Sequence, residues 1–332
     1  MSTLSGTEVA VVCADATAFQ ADALVLKFAQ DLYGADKAAF VRLTPSQRAV
    51  PLPAIGGHVI HQSRGALGAR VVVFLGVPPL RGFGYGEIRD FTRRAIETVV
   101  DEVGDAQHVA LTIHGPGYGL DEIEAFESGL AGVVDGVASS ANRAIGRVTF
   151  VERNRGRAER LSAALARLLP RSRIPGSSAG GLQGLNETTR STFRTVGYAS
   201  AAKPRAFVAM SFAAEMDDVF HYGIQGASKA AGLLCERADL ASFTGDVIAW
   251  VKDRISTARF LIADLSCANA NVYLEVGYAW GKGVPTILLC NKGLAADLGF
   301  NVRGQRLIVY KSIKQLEDEL SHELSTLVTP HS

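Results

Sequence analysis

The stretch with the richest chemistry is RFLIADLSCANANVYLEVGYAWGKGVPTILLC, residues 259–290 of the 332. An apolar run from Phe260 to Ala263 ends in Asp264, and a helical pattern carrying Glu275 follows. Asn269 or Asn271 can cap that helix by accepting its free N–H groups. Gly283 and Pro285 stop it and lead into the next strand. Residues three and four apart share a helix face, which puts Asn271, Glu275 and Tyr278 together. A carboxylate in the first turns of a helix, beyond a strand end, stays ionised and is placed to approach a sugar at the sheet edge. An ordinary helical Glu faces solvent. Glu275, however, sits among Val272, Leu274, Val276 and Ala279, and a buried or cleft-facing carboxylate is costly without a partner or a task. Asp264 has two readings: a group that works on a substrate, or a strand-end residue that caps the next loop.

Other residues could also bind ligands. Arg237 and Asp239 flank the end of the apolar run Leu233–Glu236. In a cleft, a guanidinium holds a phosphate through two parallel hydrogen bonds; on a surface the same residues form an ion pair of little value. In the amino-terminal half, HVALTIHGPGYGL runs into a glycine-rich loop. Gly115, Gly117 and Gly119 would let backbone N–H groups approach an anion, and the helix N-terminus beyond adds a favourable dipole. The spacing is neither Walker A nor GxGxxG, and a tight turn before a helix capped by Asp121 accounts for it equally. The four cysteines, Cys13, Cys235, Cys267 and Cys290, lie far apart without CxxC or Cys/His spacing. Reduced thiols and no metal are expected.

Positioning these groups requires short apolar strands alternating with helices. Before residue 170, strands are expected at 9–14, 23–28, 69–75, 108–113 and 147–151, and helices at 86–103, 120–138 and 157–169. After residue 203, strands are expected at 206–210, 233–236, 259–264, 285–290 and 306–310, and helices at 214–231, 246–258, 271–281 and 313–327. Such alternation implies an α/β fold with parallel sheets covered by helices on both faces. Ligands then bind beyond the carboxyl ends of the strands, where the topology reverses. Residues 171–203 are rich in Gly, Ser, Thr and Arg without apolar periodicity, so they read as a linker between domains 1–170 and 204–332. At 48% hydrophobic and 20% charged, with net charge +1, the composition excludes disorder and gives no electrostatic footprint for nucleic acid or an acidic membrane. No run approaches eighteen apolar residues and MSTLSGTEVAVV has no basic leader, so a soluble cytoplasmic protein is expected.

The segment ADLSCANANVYLEVGYAWGKGVPTILL resembles the signature of nucleoside 2-deoxyribosyltransferases and the bacterial TIR-like proteins related to them. RAFVAMSF is similar to that superfamily's first strand and loop, CERAD to its second strand end, and LGFNVRGQRLIVY to the segment before its last helix. The resemblance implies a flavodoxin-like parallel sheet over 204–332. It implies that Glu275 attacks or electrostatically supports the anomeric carbon of an N-riboside. It places ribose or base contacts on Asp264 and Asn271, and loop contacts on Ser211 and Phe212. Ser211 stands where relatives often carry Pro, and Asn301 where they carry Asp.

The amino-terminal half resembles the macro-like α/β/α fold, including the version at the amino end of leucine-aminopeptidase-type proteins. CADATAFQADALVLKFA is similar to its opening Asp and strands, and ALTIHGPGYGLDEIEAFESGLAGV to its strand, glycine loop and helix. The resemblance implies that Asp15 faces adenine and that Gly117, Tyr118 and Gly119 face a diphosphate and distal ribose, with Gly115 also among the ligand-binding residues. Lys27-Phe28-Ala29-Gln30 replaces the Asn-Ala-Ala-Asn-type loop of the relatives. The aminopeptidase relatives use this domain for assembly.

Together these readings predict an N-glycosidase acting on NAD or a related nucleotide, needing no cofactor. An ADP-ribose-like or cyclic nucleotide would activate it in bacterial anti-phage defence, and the protein would be a homo-oligomer. A nucleoside deoxyribosyltransferase or deoxynucleotide hydrolase is the second reading, and a non-catalytic nucleotide receptor the third.

Overall fold

The computed structural model describes residues 6–46, 50–140, 145–170, 173–175, 185–237, 247–293, 302 and 307–328. The chain splits into two compact α/β units, Met1–Pro116 with Glu122–Ala201, and Gly117–Asp121 with Ala202–Ser332.

Among the described residues the first unit holds seven strands: β1 (Gly6–Cys13), β2 (Ala23–Phe28), β3 (His58–Gln62), β4 (Val71–Gly76), β5 (His108–Thr112), β6 (Arg147–Glu152) and β7 (Arg173–Pro175). Their order is β3-β4-β2-β5-β6-β1-β7. The central five run parallel, while β3 and β7 are antiparallel edges. Its helices are α1 (Gly34–Leu43), α2 (Tyr85–Glu102), α3 (Glu122–Ser139), α4 (Arg155–Leu168) and α5 (Glu187–Thr195). Central parallel strands are covered on both faces, so they read as unbroken apolar runs; Ala23–Leu26 and Val71–Leu75 are accordingly buried throughout.

Helices α2 and α3 touch backbone to backbone. A Cβ at Gly132 would lie 2.1 Å from the Arg89 carbonyl oxygen and from Thr92 Oγ1. Thr92 Oγ1 also donates to the Gly129 carbonyl at 2.8 Å. Gly132→Ala is therefore expected to cost about 2 kcal/mol, because a clash with backbone puts overpacking at about 3 kcal/mol, the top of its usual range, less about 1 kcal/mol of helix propensity. The urea midpoint should fall with an unchanged m-value.

The stretch expected to be a linker contains ordered elements. Strand β7 pairs antiparallel with β1. Helix α5 starts where the Asn186 side chain accepts from Thr189 N at 2.8 Å, and Thr189 Oγ1 donates to the Leu168 carbonyl at 2.6 Å. With Phe193 fully buried, α5 belongs to the first unit. Residues 171–172 and 176–184 of that stretch lie outside the described residues.

The second unit holds β8 (Arg205–Ala209), β9 (Leu234–Glu236), β10 (Phe260–Asp264), β11 (Thr286–Asn291) and β12 (Leu307–Tyr310). Their order is β12-β11-β10-β8-β9, and every pairing is parallel. Counted along the chain, this is the flavodoxin-like order 2-1-3-4-5. Alternate strand residues face opposite ways. Val208, Ile262 and Leu289 pack under α9 (Ile313–Val328) and a π turn (Val219–Ile224) that leads into α6 (Gln225–Ala230). Phe207, Leu261 and Leu288 pack under α7 (Val247–Thr257) and α8 (Ala270–Gly281). The helix expected over 214–231 is thus broken by the π turn. Asp246, expected at the start of α7, lies outside the described residues, as do Asp239 and Asn301. Among the described residues, no helix is long and apolar enough to cross a membrane.

Candidate functional site

In the second unit the chain reverses its direction of travel across the sheet between β8 and β10, and this opens a crevice beyond their carboxyl ends. A slot of about 50 Å³ lies there. Phe207, Val208, Met210 and Phe212 line it from β8 and its loop; Asn269, Asn271, Val272 and Glu275 line it from the start of α8. About 10–15 Å³ of such space holds one water, so the slot holds only a few, and most of a ligand would stay in the crevice.

Local geometry sets the carboxylate in place. Ala268 adopts a left-handed conformation (φ 46°), which turns the chain after β10. The Asn269 side chain then accepts from Asn271 N at 2.9 Å and caps α8. One turn later, Glu275 reaches the slot. Its carboxyl has no hydrogen-bond or ion-pair partner among the described residues. Burial alone pushes its pKa up to about 7, so the start of the helix does not keep it ionised as the sequence reading expected.

The other expected catalytic and binding groups divide. Asn271 lines the slot with Glu275, and Phe212 lines it from the far wall. Asp264 does not. Its Oδ1 accepts from Ser266 N at 2.9 Å and its Oδ2 from the Tyr310 hydroxyl at 2.8 Å. Asn291 N donates to Ser266 Oγ at 2.8 Å. Asp264 therefore ties together the ends of β10, β11 and β12, the loop-capping reading of a strand-end Asp. Burial raises its pKa against those hydrogen bonds. Tyr278 lies a turn beyond the slot, with the Lys252 and Lys282 ammonium groups each 5.7 Å from its ring. Ser211 is also off the slot wall, its Oγ accepting from Ala213 N at 3.3 Å. Arg237 stands beside Phe212 and Met210.

The first unit has a larger cleft of about 260 Å³ beyond the carboxyl ends of β1, β5 and β6, closed on one side by Gly34, Ala35 and Ala38 of α1. Asp15 lines it. Its Oδ1 accepts from Thr17 N at 2.8 Å and Thr17 Oγ1 at 2.6 Å. Those bonds hold its carboxyl below the usual range. Its Oδ2 is 3.9 Å from Arg42 Nη2 and faces a cleft that also presents Glu152 and Arg153. The glycine loop is not part of this lining. Gly115 and Gly119 have left-handed φ of 108° and 95°. Gly117–Asp121 belong to the second unit, where a Cβ on Gly119 would meet the Trp250 ring at 2.3 Å and Asp121 Oδ2 accepts from Cys235 N at 3.0 Å. Tyr118 is buried. The tight-turn reading of this loop describes its packing.

Lys27 is buried. Its Nζ lies 2.5 Å from Asp36 Oδ2 on α1. Sequence reading did not foresee this pair, nor Met210 and Val272 as slot lining. Among the described residues no group of His, Cys, Asp and Glu side chains is arranged to hold a metal ion.

No protein-family model and no curated protein matches this chain. Solved structures of a macrodomain from Oceanobacillus iheyensis are similar to its N-terminal part. One mutant is 17% identical over 48% of this chain and 92% of that one, with a TM-score of 0.39. A second mutant, with ADPR, is 18% identical over 48% and 93%, with a TM-score of 0.36.

Proposed function

We propose that the second unit breaks the N-glycosidic bond of NAD or a related nucleotide, with Glu275 beneath the anomeric carbon. The observation that carries this reading is a partly buried carboxyl, without a partner among the described residues, on the wall of a slot at the sheet's switch point. As the C1′–N bond lengthens, positive charge builds on C1′ and the ring oxygen, and a carboxylate stabilises that charge or bonds to it. The bonding pair leaves with the base nitrogen. A pyridinium base such as nicotinamide becomes neutral on leaving and needs no proton. Water then adds its oxygen to C1′ and releases one proton. Asn271, one turn before Glu275, is placed for a ribose hydroxyl.

Glu275 must be ionised for this chemistry. Base release is therefore expected to rise with pH through about 7 and level off above it. A kcat/KM profile that stays flat from acid to pH 8 would remove Glu275 ionisation from the reaction.

The first unit's cleft suits a nucleotide of the ADP-ribose kind, with Asp15 Oδ2 turned to a base amine. We assign it the regulatory ligand, in the anti-phage setting that the sequence resemblance implies. The test is incubation of the purified full chain with NAD and a nucleoside panel, with and without ADP-ribose or cyclic nucleotides, at low and high protein concentration. Free base is expected. Binding without release under every condition would favour a nucleotide receptor.

A further inference from the structure

We infer that Tyr310, at the end of the last strand, is a positioning residue for Glu275, acting through Asp264 and the turn that starts α8. This deepens the glycosidase reading and rests on it for its kinetic consequence, while the placement of Glu275 can be measured without turnover. Helix α8 lies on the sheet through Val272, Val276 and Ala279. Apolar contact is non-directional, so it sets the depth of the helix but not the point where its first turn begins. Residues 265–269 set that point. Leu265 N donates to the Leu289 carbonyl at 2.9 Å, and Ala268 N to the Leu265 carbonyl at 3.1 Å. Ala268 is left-handed, with φ 46°. Alanine disfavours that conformation, which persists only where the surroundings over-determine it. Ser266, inside the turn, supplies the hold. Its N–H donates to Asp264 Oδ1 at 2.9 Å, and its Oγ accepts from Asn291 N at 2.8 Å. Asp264 Oδ2 in turn accepts from the Tyr310 hydroxyl at 2.8 Å, and that hydroxyl lies 3.3 Å from Ser266 Oγ. Asp264, Ser266 and Tyr310 are all buried.

The titratable groups packed together here are Asp264, Tyr310 and Cys290, and burial raises the pKa of each. The Tyr310 hydroxyl therefore keeps its proton well past neutral pH and stays a donor. Without it, a buried carboxylate oxygen of Asp264 loses its partner, and such an oxygen must turn or draw in water. Either change reaches Ser266 N, which hangs from the same carboxylate, and through it the cap at Asn269. Asn269 and Glu275 both line the slot. Glu275 lies six residues beyond the cap, about 9 Å along the axis at 1.5 Å per residue. A tilt of about 5° at the cap would carry its carboxyl roughly 0.8 Å sideways. Displacement on that scale costs up to about 100-fold in rate. The end of β12 is thus linked to the reactive group by consecutive hydrogen bonds, although β11 and β10 stand between β12 and the slot's other wall at β8.

Tyr310→Phe keeps the ring in the core and removes only the donor. The Glu275 carboxyl is followed by carbon NMR in the glutamate-labelled full chain, with Glu275→Gln identifying its signal. In the parent it should titrate near about 7. In Tyr310→Phe it should titrate nearer about 6, because a displaced helix lets water reach the carboxylate. Base release from NAD should fall about 10- to 100-fold in kcat, with KM within about threefold of the parent. Ser266→Ala leaves the Tyr310–Asp264 bond in place and deprives only Asn291 N, so it should move both readings the same way by less. It decides the question if Tyr310→Phe does not fold. Leu324→Val, a core truncation on α9 away from the turn, should lower the urea midpoint without moving the titration or kcat. Base release by the parent, with an unmoved titration and kcat in Tyr310→Phe, overturns the positioning role alone. An equal shift in Leu324→Val does the same, since general loosening would then explain it. A shifted titration in a chain that releases no base keeps the positioning role and overturns the glycosidase. An unmoved titration without release overturns both.

Discussion

Glu275→Gln is expected to lower base release by about 1,000-fold or more while leaving substrate affinity within a few-fold of the parent. Loss of one preorganised transition-state partner costs about 10²–10³ in rate, and loss of a nucleophile costs more. The ground-state ligand makes little use of the negative charge, so binding should persist and is measurable by calorimetry. The same variant should be more stable at alkaline pH. Burial raises the folded-state pKa of Glu275 from 4.5 to about 7, so between those values the folded chain binds more protons than the unfolded one. Stability therefore falls as pH rises through that window, by up to about 3 kcal/mol. Glutamine carries no such penalty. The variant and the parent should melt together near pH 4.5, and the variant should melt higher at pH 8. A dead enzyme that is also sturdier is the signature of a residue kept for chemistry at a cost in stability. Retention of a tenth of the activity would contradict the role assigned to Glu275.

Asp36→Ala is expected to destabilise the first unit by about 3–5 kcal/mol, because it strands a buried ammonium. Lys27 and Asp36 side chains are 7% and 4% exposed. Burial raises the Asp36 carboxyl pKa and the Lys27 charge opposes that shift. Asp36 Oδ1 has no hydrogen-bond partner among the described residues, so the desolvation cost is incompletely offset. Replacing both partners, Lys27→Met with Asp36→Leu, should recover most of the loss and can exceed the parent. Urea denaturation of the two single variants and the double variant closes the cycle. A loss below about 1 kcal/mol for Asp36→Ala would mean that water reaches the pair. The pair also anchors the first turns of α1, which border the first unit's cleft through Gly34 and Ala35, so affinity for the nucleotide proposed to bind there should weaken with Asp36→Ala.

The same pair explains what was hidden in the sequence. Helix α1 puts a carboxylate on its buried face, where periodicity would require an apolar residue, so no helical pattern showed. Helix α5, ETTRSTFRT, is held by one phenylalanine, one threonine hydroxyl and an asparagine cap, too little apolar surface for periodicity to register. Edge strand β3 is half exposed and short. The central strands of both sheets were legible because burial on two faces leaves uninterrupted Val, Leu and Ile. Glu275 was legible for a related reason: a charge on a helix apolar nearly all round stands out. Asp264 was legible as special but not in its task, since nothing local reveals that Tyr310 arrives from the last strand to occupy its carboxylate. Tyr278 shares the helical spacing of Glu275, yet a helix face is wider than a slot of about 50 Å³. Gly115 to Gly119 resembled an anion cradle because left-handed glycines serve tight turns and ligands alike.

The 2-1-3-4-5 strand order has a consequence for synthesis. The two walls of the slot come from β8 and from the turn after β10, and β9 and α7 lie between them in the chain. Strand β10 must insert beside β8 after the polypeptide has gone out to the sheet's other edge and returned. A nascent chain on the ribosome therefore carries no assembled slot until α8 has emerged. On the glycosidase proposal, an unfinished chain therefore has no slot in which to act on a dinucleotide.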